Sequence, residues 1–140
     1  MKILLAVDGS DYTRKMLDYV TSQGTLFDAS HDYTLLSVQL PLPNHASAVV
    51  GSGATRDYHE EAAQQVLQPA VAALQAKGLR AAGVWKAGPV GETIARFAED
   101  GPHDMVIMGS HGHGALARLV MGSVANQVLS RCGVPVLLIR

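Results

Sequence analysis

Three glycines at fixed intervals, Gly109, Gly112 and Gly122, together with Ser123, are the residues of this chain whose types and spacing suit a chemical task, and the task is holding phosphate. They stand in Met108-Gly109-Ser110-His111-Gly112-His113-Gly114 and, ten residues past Gly112, in Gly122-Ser123. Glycine leaves room for backbone N–H groups to reach phosphate oxygens, and the first N–H groups of a helix lack partners and carry a partial positive charge. Before the loop, Asp104-Met105-Val106-Ile107-Met108 is a short apolar run of the buried-strand kind; after Gly122-Ser123 a helical pattern ends near Arg131. Strand, glycine loop and helix start follow in the order nucleotide sites use. Ser123 is expected as the N-cap of that helix, either a plain cap or one whose hydroxyl and neighbouring N–H groups also meet a phosphate.

Other motifs compete for the same residues and fail on context. Gly112-His113-Gly114-Ala115-Leu116-Ala117 matches the dinucleotide pattern GxGxxA, but that pattern belongs on the first strand-to-helix turn with an acidic residue about twenty positions on. Here the corresponding region is Val136-Leu137-Leu138. No Gly-Lys-Ser or Gly-Lys-Thr occurs, which removes a P-loop NTPase mechanism. Ser110 between Gly109 and Gly112 resembles a nucleophile elbow, yet the residue two before it is Met108 rather than glycine, so a hydrolase triad is disfavoured. His111 and His113 suit polar positions in a phosphate loop better than a metal pair, and His31, His45, His59 and His103 add no ligand spacing. Asp8, in Asp8-Gly9-Ser10, suits two roles equally: a turn or cap carboxylate, or an acceptor for a ligand amine or a ligand to a divalent cation.

The elements that position these residues alternate along the chain. Lys2 to Val7 is continuous rather than alternating in hydropathy, the mark of a strand buried on both faces. A helix is expected from Asp11 to about Phe27, with Met16, Leu17, Val20 and Leu26 at helical spacing and Ser10 or Asp11 as cap. Tyr33 to Val38 is a second strand, ended by Pro41 and Pro43. Gln39 to Thr55 shows no period and is expected as a long loop. A helix from Asp57 to Lys77 has Ala62, Val66, Ala70 and Leu74 spaced by four, a kink expected at Pro69 and a stop at Gly78. Leu79 to Lys86 follows as a strand, Gly91 to Glu99 as a helix with Ile94, Ala95 and Ala98 inward, then Met105 to Met108, Val124 to Arg131 and Val136 to Ile139 as strand, helix and strand. Strands alternating with helices imply right-handed crossovers and an α/β fold, a doubly wound five-stranded parallel sheet with helices on both faces. Ligands of such sheets sit beyond the strand carboxyl ends where strand order reverses, and Asp8, Val38 and Gly109 all fall at such ends.

Composition narrows the function classes. At 140 residues, 48% of them apolar, residues 1–140 fit one domain able to bury a core. Eleven Lys plus Arg against twelve Asp plus Glu leave a net charge of -1 with no basic block, so nucleic acid is not an expected partner. No run reaches signal-peptide or membrane-spanning length, so neither export nor membrane insertion is expected. The single Cys132 suits a reducing compartment and a small buried residue better than a reactive thiol, and the expected location is cytoplasmic.

The chain resembles the universal stress proteins of single-domain type over essentially its whole length. The residues that carry the likeness are Gly109-x2-Gly112-x9-Gly122-Ser123, which matches the Gly-x2-Gly-x9-Gly-Ser/Thr signature of the nucleotide-binding members, the opening Lys2-Ile-Leu-Leu-Ala-Val-Asp-Gly-Ser10, and the ending Cys132-Gly-Val-Pro-Val-Leu-Leu-Ile139. The resemblance implies a Rossmann-like fold akin to the adenine nucleotide alpha-hydrolases. It places Asp8 and the backbone of Val38 by an adenine, Ala6 and Met108 in the base pocket, and Val7, Gly9 and Ser10 beside them in the first turn. Gly109, His111 and Gly112 would surround ribose and phosphates, and Gly122, Ser123 and Val124 the phosphate tail. It further implies ATP, or AMP or ADP, with Mg2+ accompanying the triphosphate, and a homodimer through Val136 to Ile139, whose apolar edge needs cover in any case. One departure is chain-specific: where relatives often carry a short basic or His-Val segment after the second strand, this chain has Ser37-Val-Gln-Leu-Pro-Leu-Pro43.

The expectation is an ATP-binding regulatory module of the stress response that acts on a partner protein and is not an enzyme, weak ATPase activity aside. Two alternatives stand beside it: a slow ATPase or nucleotidyl-transfer enzyme using Asp8 and a divalent metal, and a nucleotide-free dimeric scaffold, or a higher oligomer, in which the glycines serve loop geometry alone.

Overall fold

Ile3, Leu4 and Leu5 are all fully buried, as consecutive residues must be in a strand with neighbours on both edges and helices on both faces. A computed structural model describes residues 1–41, 44–113 and 121–140, with backbone alone for 44–50 and 52. The elements run β1 (Lys2–Ala6), α1 (Asp11–Ser22), β2 (Asp32–Gln39), α2 (Asn44–Gln75), β3 (Arg80–Ala87), α3 (Val90–Asp100), β4 (Met105–Gly109), α4 (Ser123–Arg131) and β5 (Val136–Ile139). All strand pairs are parallel, in the order β3-β2-β1-β4-β5. This is the doubly wound α/β sheet expected from the alternation.

Successive residues of β1 feed two cores. Ile3 and Leu5, with Val7 beyond the strand, pack with Met16 and Val20 of α1 and Ala63, Leu67, Ala70 and Leu74 of α2. Leu4 packs with Ile94 and Ala98 of α3 and Ala125 and Val128 of α4. Ser10 caps α1, its hydroxyl accepting from Thr13 N at 3.4 Å. Gly78, at φ 77°, ends the turn after α2, where the sequence places the stop. Gly83 lies inside β3 because α2 crosses close above it: a Cβ there would stand 3.4 Å from Leu67 Cβ and Val71 Cγ2.

Several expectations are corrected. The first helix ends at Ser22 rather than near Phe27; Leu26 lies beyond it, 51% exposed, while Phe27 fills the core. The stretch from Gln39 to Thr55 is not a long loop, since β2 runs through Gln39 and α2 begins at Asn44; Pro43 lies outside the described residues, as do Gly114 and positions 115–117. Glycine and serine lower helix propensity by no more than about 1 kcal/mol each, a cost this segment accommodates on both sides of the break at Gly51. The interruption of α2 is at Gly51, φ 82° and ψ 163°, not at Pro69, which is exposed and keeps helical dihedrals. The buried stripe of α2 is Ala63, Leu67, Ala70 and Leu74, and the expected Ala62 and Val66 are only half-buried. Cys132 is likewise half-buried, its thiol 3.8 Å from the Val134 carbonyl at the end of α4.

Two tests follow from the packing. The Cβ of an alanine at buried Gly91 would stand 2.5 Å from Gln127 Cβ, so α3 and α4 would have to separate. Gly91→Ala is expected to lower unfolding free energy in urea by about 1–3 kcal/mol, while Gly24→Ala, which meets nothing within 4 Å, stays within about 0.5 kcal/mol. Tyr33, 2% exposed, donates its hydroxyl to the Asp28 carbonyl at 2.9 Å. Burial, and next the Asp28 carboxylate, push its phenol from 10.0 up to about 12. The unfolded chain therefore ionises first, and this contribution, intact below pH 10, is lost as pH rises toward 12. Urea midpoints across that interval should fall less steeply in Tyr33→Phe, which at neutral pH loses about 0.5–1.5 kcal/mol with the hydrogen bond.

Candidate functional site

The carboxyl ends of β1, β2 and β4 open on a cavity of about 790 Å³, whose walls also include one side of α2 and the first residues of α3 and α4. It lies where strand order reverses: the chain leaves β1 toward β2 on one side and later returns to pair β4 on the other.

Asp8 is fixed by the turn that carries it. Its Oδ1 accepts from Ser10 N at 2.9 Å and from Thr13 Oγ1 at 2.8 Å, and its own N–H donates to Thr13 Oγ1 at 3.0 Å. One carboxylate oxygen is thus committed within the turn. The other, Oδ2, faces Gly112, where a Cβ would stand 2.7 Å from it. Gly9, at φ 77°, allows the reversal, and a Cβ there would meet Val66 of α2 at 3.3 Å.

The three signature glycines each sit where a side chain has no space. A Cβ on Gly109 would fall 2.6 Å from Tyr12 Cβ, and one on Gly122 would fall 3.2 Å from His111 Cα and 3.3 Å from Ser110 O. Gly122 N donates to Ser110 O at 2.6 Å, and Ser110 N to Ile139 O at 2.8 Å, which fastens the loop after β4 to α4 and β5. Gly122, not Ser123, is the N-cap of α4, with no side-chain hydrogen bond at the cap; Ser123 is the first helical residue. The capping expected of Ser123 is corrected accordingly. Because Gly122 offers no side chain to the leading amides of α4, those amides remain for a ligand.

The loop histidines are both engaged. His113 Nε2 lies 2.7 Å from the backbone carbonyl of Asp8, which can only accept, so that nitrogen carries a proton and is not a metal ligand. Ser110 Oγ and His111 Nδ1 are 2.9 Å apart, and the His111 ring packs on Tyr12 with centroids 5.0 Å apart. Ser110 is buried and outside the cavity lining, so it orients the imidazole from behind rather than standing as a nucleophile. No group of three or more metal-binding side chains occurs among the described residues. Among the described residues the lining holds Asp8 and the two histidines but no Lys or Arg.

Of the residues singled out from sequence, Ala6, Val7, Asp8, Val38, Met108, Gly109, His111, Gly112, Gly122, Ser123 and Val124 line this one cavity. Gly9 and Ser10 do not; they shape the turn and cap α1. Sequence reading missed Thr13, Ser37, Gln39, Tyr58, Ala62 and Val66, all of them in the lining. A signal for the pair at the end of β2 was present, since two polar residues at i and i+2 in a strand share a face. Tyr58 was hidden by the assignment of its surroundings to a helix start with no partner in view.

A parallel sheet wound both ways from β1, with a crevice at its carboxyl edge bounded by a glycine loop and the start of α4, defines an α/β domain of the doubly wound class. The chain matches the Universal stress protein family over residues 1–140 and belongs to that family. Universal stress protein Slr1230 of Synechocystis is 32% identical over 139 residues, a match that takes in 99% of this chain but only 42% of that relative's length. The universal stress protein in the QAH/OAS sulfhydrylase 3' region of Thermus aquaticus is 29% identical, over 99% of this chain and 97% of its own. Among solved structures, MJ0577 of Methanocaldococcus jannaschii superposes with a TM-score of 0.80 at 26% identity, covering 99% of this chain and 94% of that one. The Archaeoglobus fulgidus universal stress protein in complex with dAMP gives 0.72 at 22%, covering 100% and 98%. An Arabidopsis thaliana family member with AMP bound gives 0.70 at 16%, covering 99% and 90%. These last two share the fold.

Thr13 is the residue on which the Asp8 turn rests. Thr13→Val keeps the shape but removes both hydroxyl contacts, and is expected to lower unfolding free energy in urea by about 1–3 kcal/mol, with amide exchange at Asp8 accelerating more than exchange in β2.

Proposed function

We propose that this chain is an adenine-nucleotide receptor, a regulatory universal stress protein that binds ATP and acts by presenting its nucleotide state to a partner protein. The observation that carries this reading is the conjunction, in one cavity of about 790 Å³, of an α4 N-terminus whose cap, Gly122, has no side chain with apolar lining from Val38, Ala62 and Val66. Phosphates suit the first and a base the second. The relatives bound to dAMP and AMP support the ligand class.

The Asp8 carboxylate suits outer support of a divalent ion better than a catalytic base, because Oδ1 is already shared by Ser10 and Thr13. Mg2+ would accordingly be held chiefly by the phosphates and water, with Asp8 Oδ2 the one carboxylate oxygen at hand. The same reading joins two copies through β5, whose residues Val136 to Ile139 are apolar, only half-buried and at the sheet edge.

Calorimetric titration of nucleotide-stripped protein with ATP, with and without Mg2+, tests it. Saturable binding without hydrolysis is expected, with AMP weaker and GTP weaker still. Gly122→Val should reduce ATP affinity by at least about 100-fold, the equivalent of the α4 amide contacts, with the circular dichroism of the sheet retained. Full affinity in that variant removes α4 from the site, and multiple turnovers lost in Asp8→Ala would make the protein an enzyme.

A further inference from the structure

β3 is the outermost strand on its side of the sheet, paired with β2 alone. It is eight residues long, as β2 is, and holds no proline. Gly88 N donates to Gln39 O at 3.0 Å, so the even-numbered residues of β3 turn their backbone groups to β2. The odd-numbered ones, Ala81, Gly83, Trp85 and Ala87, turn theirs outward. Among the described residues only the Ala81 carbonyl of that outer row has a partner, accepting from Gln75 Nε2 at 3.2 Å. The two cations of the strand are drawn back from the edge: Arg80 pairs with Asp32 of β2 at 3.2 Å, and Lys86 Nζ lies 6.0 Å from the centre of the Phe97 ring of α3. Ala82, Gly83 and Ala87 are exposed. A long, straight edge without proline or outward charge is a template for another strand.

We propose that this edge takes a second copy of the chain, β3 against β3 and antiparallel, about a two-fold axis through Val84, in an interface separate from β5. The strand complements itself. With Val84 facing Val84, Ala81 stands opposite Ala87 and Gly83 opposite Trp85, so every outward residue meets an outward residue and exchanges paired N–H···O bonds with it. Gly83 and Trp85 share the α2 face, which sets each indole beside a glycine of the other copy, an aromatic–glycine cross-strand pair. Lys86 falls opposite Ala82, so no like charges oppose. The helix layer also continues: α2 packs over β2 and β3 together, and the α2 of a second copy would lie two strands further on, about 10 Å away, the separation of packed helices. Asp57, Glu60 and Glu61 stand in the first half of α2 and Lys77 just past its end, so antiparallel α2 helices bring opposite charges together.

This interface does not depend on the nucleotide reading, and sedimentation velocity of the full chain over a range of concentrations tests it. Ala82 lies on the face away from α2, in a non-hydrogen-bonded pair with Lys86 of the other copy, where side chains are closest. Ala82→Lys sets like charges there twice in each dimer, and Ala82→Glu sets opposite ones. Their dimer dissociation constants should differ by about tenfold, with the intact chain between them. Ala87→Pro removes an outward N–H that β2 does not use and should weaken the dimer while the circular dichroism of the sheet is retained. Amide exchange at Gly83, Trp85 and Ala87 should slow as concentration rises. Masses above a dimer that fall to a dimer in Ala82→Lys show both sheet edges in use. A dimer indifferent to all three substitutions, or fast exchange at Gly83 and Trp85 in the assembled protein, overturns pairing through β3 and leaves β5 to join the copies. A protein monomeric at every concentration overturns both interfaces.

Discussion

The position of β1 between β2 and β4 governs the rest of the molecule. With β1 central, the chain must wind to one side through α1 and α2 and to the other through α3 and α4, so each face of the sheet receives two helices. Parallel pairing on both edges, Ala6 opposite Leu36 and Leu5 opposite Ile107, brings three carboxyl ends level. Beyond those ends the connections diverge, and the space they leave is the cavity. No side chain has to be moved to make it; it follows from winding direction, which the handedness of crossovers fixes.

Within that space the intervals of the glycine signature have a structural meaning apart from any ligand. Gly109 gives way to Tyr12 at the start of α1, Gly112 to the Asp8 carboxylate, and Gly122 to the loop's own backbone at Ser110 and His111. The loop after β4 is thereby laid against the turn after β1, and His113 fastens it by donating to the Asp8 carbonyl. A glycine loop required by packing and one required by a phosphate are the same loop here, since close approach of backbone to backbone is what leaves amides free of side chains. The signature by itself therefore does not separate a nucleotide receptor from a scaffold; the bare cap at Gly122 and the apolar lining from Val38, Ala62 and Val66 favour the receptor.

What could be read from sequence follows the range of the forces involved. Strand β1 and helix α3 were legible because burial imposes a period, and Ile94, Ala95 and Ala98 face inward as their spacing implies. The start of α2 was not legible: Asn, Ser and Gly carry turn preferences that a long helix overrides, and only the dihedrals of Gly51 preserve a trace of the break. Most of the glycine and Asp8 side of the site was legible because its residue types have few other uses. Ser37 and Gln39 carried only the weak signal of two polar residues on one strand face, and Tyr58 none, because each is an ordinary residue for its element and acquires meaning only when β2 and α2 are packed together. Thr13 was missed for a related reason, its two contacts to Asp8 belonging to a turn whose geometry the sequence leaves open.

The two ends of the cavity thus differ in kind. At the α4 end the donors at the cavity wall belong to the backbone, so substitutions that keep the glycines leave them unchanged. At the β2 end the groups are side chains, with Gln39 Nε2 2.9 Å from Ser37 Oγ and Tyr58 also in the lining. Backbone amides at a helix start present the same donors whatever side chains surround them, whereas side chains change with the sequence. A fold with this division can vary the lining of its cavity through residues of β2 and α2 without disturbing the winding that makes it.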